Sequence, residues 1–189
     1  MRILIFITLL VGVLYGGTVN SYYKDLYNLN NNQKEVMLRA YIQGAEYDYG
    51  YTLTAIAWTE SNFGKFKMNV NDGDVYKYKG SYGVYHILLN TVMSREEIKS
   101  QWHASRVAER LYTDQKYCGT KALEELLFWD RTWKSKGVEK HYRHVVASYN
   151  AGYNSINSKN GRKYSEVIAL RVKALKKYFK EHNIDELLK

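Results

Sequence analysis

Apolar positions recur along most of this chain with a period near 3.6, which predicts a nearly all-α protein. The first helix is expected over residues 33–49, with Val36, Ala40 and Tyr47 turned inward and Gly50 ending it. A second is expected over 51–60, where Leu53, Ile56 and Ala57 share one stripe. Residues 62–81 are polar, contain glycine and show no clear period, so they read as a long loop. The apolar pattern resumes over 82–93 through Tyr85, Leu88, Leu89 and Val92. Ser94 and Glu97 have capping-box spacing, so a new helix is expected from there to about Tyr112. Thr120 is expected to cap a helix carrying Leu123, Leu126 and Leu127, with Gly137 after it. Residues 138–149 make the next helix. Ser165 caps the last, whose stripe is Ile168, Val172, Leu175 and Phe179. The chain has no proline to break these helices. No repeat or low-complexity linker divides it, so residues 22–189 are expected to form one domain, loosely attached after about Glu181.

One position breaks the pattern. Glu60 lies seven residues after Leu53, on the same stripe, so a carboxylate stands on the face that should turn inward. Burial of a charge there carries a large desolvation cost. Burial and the negative end of a helix dipole both raise a carboxyl pKa. A glutamic acid that holds its proton near neutrality is a general acid. Position alone is equally compatible with a Glu that frays into solvent at a helix end.

Composition narrows the class. The chain of 189 residues is 46% apolar, which is too apolar for a disordered chain and suits a single core. Nineteen tyrosines suit grooves that hold sugars or bases, but many Asn and Lys codons accompany them, which fits a low-GC coding bias. Met1-Arg2 followed by an apolar run over residues 3–15 and small residues at 16–21 reads as a signal peptide over 1–21. Export to the periplasm or cell wall is expected, with an uncleaved anchor as the alternative. The net charge of +9 is concentrated after Lys134 and suggests an anionic partner. Outside the cytoplasm that means wall polymers or a membrane surface, touched transiently, rather than nucleic acid. A solvated basic helix face accounts for the same residues. Cys118 is the single cysteine and reads as a small buried hydrophobe. His141 and His144 are three apart but lack a third ligand nearby, so no metal or cofactor is expected. Glu96-Glu97 and Glu124-Glu125 read as acids favoured near helix N-termini. Trp129 and Trp133 read as core or rim.

Three segments carry a resemblance: Glu60-Ser61, then Ser81-Tyr82-Gly83-Val84-Tyr85-His86-Ile87, then Ala147-Ser148-Tyr149-Asn150-Ala151-Gly152. Together they resemble the soluble lytic transglycosylases, enzymes of lysozyme-like fold that cleave peptidoglycan. The pattern of that family is a Glu-Ser ending a helix, a Gly-Leu-Met-Gln-like turn, an Ala-x-Tyr-Asn-Ala-Gly segment and a late tyrosine, here Tyr164. The Ala147 to Gly152 match is complete. The similarity runs from about Tyr51 to Tyr178. It implies that Glu60 protonates the bond between MurNAc and GlcNAc and then acts as base on the C6 hydroxyl, closing a 1,6-anhydro ring. It implies that Ser61 orients Glu60 or substrate, that backbone near Gly83, Val84 and Tyr85 borders the sugar, that Tyr149 and Asn150 hold the acetamido region, and that Tyr164 hydrogen-bonds near Glu60. It implies peptidoglycan glycan strands as the partner, and a monomer is expected.

Two departures stand out. His86 replaces a Gln that touches the sugar, although imidazole also offers a donor and an acceptor. The loop after Glu60 is long and includes Asn69, Asn71, Asp72, Gly73 and Asp74. Its register fails as an EF-hand, because counting from Gly73 as position 6 puts Lys79 at position 12. It reads as a border of the substrate groove. A hydrolytic muramidase is the first rival reading, with Asp72 or Asp74 as second carboxylate. A non-catalytic wall-binding protein is the second, and a nucleic-acid binder the third.

Overall fold

The computed structural model describes residues 17–70, 79–139, 141–155 and 157–183. Among them are eight helices and a small three-stranded antiparallel sheet, so the protein is mainly helical. Helix α1 (Val19–Tyr27) opens with a reciprocal cap between Thr18 and Ser21, and α2 (Asn31–Ala45) with the same device between Asn30 and Gln33. Residues 17–21, assigned by sequence to the leader, are the cap and first turn of α1, which packs on the last helix through Tyr22 and Leu26. Residues 1–16 of the expected leader lie outside the described residues.

Helix α3 (Gly50–Ser61) is the centre of the fold. Residues from Thr52 to Trp58 are all buried, so it is covered on every side, and it lies between α2 and the last helix. Its buried hydroxyls are satisfied: Thr54 donates to the Gly50 carbonyl and Thr52 pairs with the Tyr142 hydroxyl at 2.9 Å. Asn62 and Phe63 both take left-handed φ values, which stop the helix one residue after Ser61. Phe63 then stacks on Trp58.

The loop expected over 62–81 contains β1 (Met68–Asn69), which pairs with β2 (Ser81–Tyr82), and β2 pairs with β3 (Ile87–Leu88). Two-residue strands are too short to show a period of two, so the sequence does not announce them. Residues 71–78, including Asn71, Asp72, Gly73 and Asp74, lie outside the described residues. Helices α4 (Leu89–Arg95), α5 (Gln101–Thr113), α6 (Gln115–Ser135) and α7 (Tyr142–Ala151) follow. A 3₁₀ turn (Gly152–Asn154) leads to α8 (Lys159–Glu181).

Several expected boundaries are corrected. Gly50 opens α3 instead of ending α2, which stops at Ala45 and leaves Tyr47 exposed. The chain turns at Asp48, whose φ is 61°. Ser94 sits in the last turn of α4, and Ser100 caps α5 instead. Thr120 lies inside α6, where it donates to the Lys116 carbonyl, and Asp114 is the cap. Ser165 lies inside α8, and Ser158 is the cap. In each case a hydroxyl or carboxylate nearer the true turn captured the free amides.

The turn at residues 83–86 depends on Gly83. Its φ is +81°, and a Cβ there would sit 2.1 Å from the Leu111 carbonyl oxygen and 2.4 Å from Cys118 Sγ. We therefore expect Gly83→Ala to cost about 2–4 kcal/mol through overpacking and backbone strain. Thermal unfolding reads this directly, and an unchanged Tm would contradict it.

Candidate active site

Glu60 ends the buried stripe of α3, where the helix leaves the core and meets a groove of about 480 Å³. The groove is walled by the sheet and α4 on one side and by α6 and the end of α7 on the other. The Glu60 side chain is only 17% exposed, so it keeps one face to the groove and the other to protein. Tyr164, from α8, donates its hydroxyl hydrogen to Glu60 Oε1 at 2.6 Å. Burial, and then the charge of Glu60, push the Tyr164 hydroxyl well above its ordinary pKa, so it stays protonated and acts only as donor here.

His86 approaches the other oxygen. Its Nδ1 lies 3.4 Å from Glu60 Oε2, and its Nε2 lies 2.7 Å from the Phe66 carbonyl. The ring is nearly enclosed, with 6% of the side chain exposed, and the backbone φ at residue 86 is 46°. Burial pushes the imidazole pKa down. The hydrogen bond and charge of Glu60, with the Phe66 carbonyl, outweigh this and leave it raised.

The other residues singled out by sequence divide into two groups. Tyr149 and Asn150 line the groove with Glu60 and His86. The Tyr149 hydroxyl, however, is turned inward and donates to the Tyr85 carbonyl at 3.0 Å, so its ring, not its hydroxyl, borders the groove. Ser61, Gly83, Val84 and Tyr85 lie behind it. Ser61 is fully buried; its hydroxyl donates to the Val84 carbonyl at 2.6 Å and accepts from the Gly64 amide at 2.8 Å. It ties the end of α3 to the turn at Gly83 and thereby sets the distance between Glu60 and His86. Val84 and Tyr85 point into the core. Their carbonyls, with those of Lys67 and Gly83, are taken up by protein donors.

The far wall carries charge that sequence reading did not assign to the site. Glu125 pairs with Arg95 and accepts from Trp129 Nε1 at 2.6 Å. Lys121 pairs with Glu96 at 2.7 Å and with Glu124 at 3.0 Å. Glu124-Glu125 are therefore not first-turn acids: α6 starts at Gln115, and they face the groove from its middle. The i, i+4 spacing of Glu125 and Trp129 was the available signal. Among the described residues no Lys or Arg pairs with Glu60, whereas every other carboxylate lining the groove has such a partner. Cys118 is buried behind the Gly83 turn, and burial pushes its thiol up to about 12. His141 contacts Asp130 at 2.7 Å, away from the groove.

No family model, curated protein or solved structure matches the chain.

The raised His86 pKa makes stability depend on pH. Protonated His86 favours the folded state, so its contribution is fully present below the unfolded pKa of about 6.5 and is lost as pH rises through the higher folded value. The Tm of the parent should fall between about pH 6 and 8, and that slope should flatten in His86→Gln. Thermal melts of both proteins across this range check it. Equal slopes would contradict the contact between His86 and Glu60.

Proposed function

We propose that this protein is an exported peptidoglycan lytic transglycosylase of lysozyme-like fold, acting as a monomer on glycan strands without a cofactor. The observation that carries the reading is the surroundings of Glu60. Glu60, His86 and Tyr149, distant in sequence, line one groove, and Tyr164 holds one oxygen of Glu60 at 2.6 Å. These lie in the segments on which the resemblance rests. The groove is bordered by both apolar and charged side chains, which suits an amphipathic sugar chain.

The chemistry follows from Glu60 acting first as acid and then as base. Cleavage of a glycosidic bond needs a proton on the leaving oxygen and stabilisation of an oxocarbenium-like carbon. Glu60 supplies the proton, the C1–O bond breaks, and the acetamido oxygen of the same MurNAc shields C1. The Glu60 carboxylate then takes the proton of the C6 hydroxyl as O6 bonds to C1. The acetamido group is released and the 1,6-anhydro ring is complete. Glu60 ends protonated, as it began. A hydrolytic route needs a second carboxylate free to activate water. Among the described residues Glu125 is a partly buried acid across the groove, and its engagement with Arg95 and Trp129 leaves it poorly suited to that task.

Digestion of purified peptidoglycan followed by muropeptide analysis tests the reading. Anhydro-muramyl ends are expected; reducing ends would indicate a muramidase, and no release a wall-binding protein. Glu60→Gln should abolish release while leaving the fold intact. Tyr164→Phe removes one hydrogen bond to a carboxylate and should slow release by about 10- to 100-fold. Full activity in Glu60→Gln would refute the mechanism.

A further inference from the structure

His86 does not present its polar atoms to the groove as a sugar-binding side chain would. Both ring nitrogens face protein: Nε2 bonds the Phe66 carbonyl at 2.7 Å, and Nδ1 lies 3.4 Å from Glu60 Oε2. A carbonyl oxygen only accepts, so Nε2 must carry a hydrogen. Nδ1 is then bare in the neutral ring and protonated only in the imidazolium. Glu60 is constrained in the same way. Tyr164 donates to Oε1, so a proton on the carboxyl belongs on Oε2, the oxygen that faces Nδ1. Between Oε2 and Nδ1 the contact is favourable with one proton: as imidazolium beside carboxylate, or as imidazole accepting from the carboxylic acid. With none, a lone pair faces a negative oxygen.

We propose that His86 is a positioning residue that shares one proton with Glu60, so that the proton given to the glycosidic oxygen is drawn from the pair and the proton taken from the C6 hydroxyl is returned to it. This rests on the glycan chemistry assigned to Glu60 above. In the resting pair one proton is held, on Nδ1 or on Oε2. As the glycosidic oxygen reaches Oε2, the proton passes from Oε2 to that oxygen, the C1–O bond breaks, and His86 is left neutral beside the carboxylate. When Glu60 removes the C6 hydroxyl proton, the pair regains its single proton. No proton is gained or lost over the cycle. The 3.4 Å separation is long for a hydrogen bond, and catalytic contacts of this kind shorten when substrate fills the site.

The groups facing the pair are accounted for among the described residues. From α8 come Tyr164, which donates to Glu60, and Arg171, which lies behind α3 and donates to Thr59. From α7 comes Tyr149, whose hydroxyl is pushed well above its ordinary pKa by burial and by Glu60 and bonds to Tyr85. From α6 comes Glu125, neutralised by Arg95. Lys67, ahead of β1, lies over the Tyr112 ring. Neither tyrosine ionises near neutrality, so the pair is the titrating unit in this part of the groove.

Two measurements test the inference. The first is an NMR titration of the imidazole resonances, with the His86 signal assigned by its loss in His86→Gln. In the parent, His86 should titrate above about 6.5, and in Glu60→Gln it should fall by about one pH unit or more. The second is the pH profile of muropeptide release. The basic limb should move to lower pH in His86→Gln, so that the variant loses at least about tenfold more activity at pH 8 than at pH 5. A His86 titration unchanged by Glu60→Gln would overturn the shared proton. So would a loss in His86→Gln that is the same at every pH, as a merely structural role gives. If the parent released no muropeptides while the NMR coupling held, the glycan reading would fail and the proton-sharing pair would stand as a property of the groove.

Discussion

Everything at the groove depends on how α3 is held. A helix buried on all sides has no solvent-facing stripe on which to place a charge, so its one acid must sit where it leaves the core. Glu60 occupies that place. The packing that fixes it comes from both flanks. α2 covers one side, and α8 covers the other and brings Tyr164 to the carboxylate. Arg171 sits behind, its guanidinium 4.7 Å from the Trp58 ring and 5.0 Å from Tyr22, with Nη1 donating to Thr59. Burial lowers the pKa of this arginine, the expected result for a cation withdrawn from water and held mainly by ring faces.

The end of α3 is joined to the turn at Gly83 by a single buried hydroxyl. Ser61 bridges the Gly64 amide and the Val84 carbonyl, and these bonds lie under Glu60 and His86. Because the hydroxyl is fully buried, removal strands an amide and a carbonyl away from water, and each costs more than an ordinary surface bond returns. The Glu-Ser pair is therefore one physical device: the first residue faces the groove, and the second anchors the segment that carries its partner. Gly83 completes it, since only a residue without Cβ fits against Leu111 and Cys118.

The opposite wall has a different character. Arg95 and Lys121 are ion-paired with three glutamates across α4, α6 and the residue after α4. Their charges are held in ion pairs along the groove, whereas among the described residues Glu60 faces a hydroxyl and an imidazole. A carboxylate paired with Arg keeps its charge, and one beside a hydroxyl and an imidazole can exchange a proton. That contrast separates acids that shape a groove from one that can act in it.

Much of this was legible in the chain. The helical period identified the class, and the stripe of Leu53, Ile56 and Ala57 singled out Glu60, because periodicity is a local property that each segment carries in itself. The stripe of α8 was also readable, and Ile168, Leu175 and Phe179 are buried as their spacing requires. Helix ends were less readable, because Ser94, Thr120 and Ser165 are chemically as good as the residues that do the capping. The sheet was invisible, since its strands are two residues long and exist only through their pairing. The direction of His86 could not be read either. A sugar-facing side chain and one turned toward Glu60 have the same sequence, and only the left-handed backbone at residue 86 and the Phe66 carbonyl decide between them. The same holds for Glu125, whose place in the groove follows from where α6 starts and how it packs. The chain by itself determined which segments are helical and which acid is out of place. The tertiary structure decided which groups meet that acid, because contacts between residues a hundred positions apart depend on packing that no local pattern encodes.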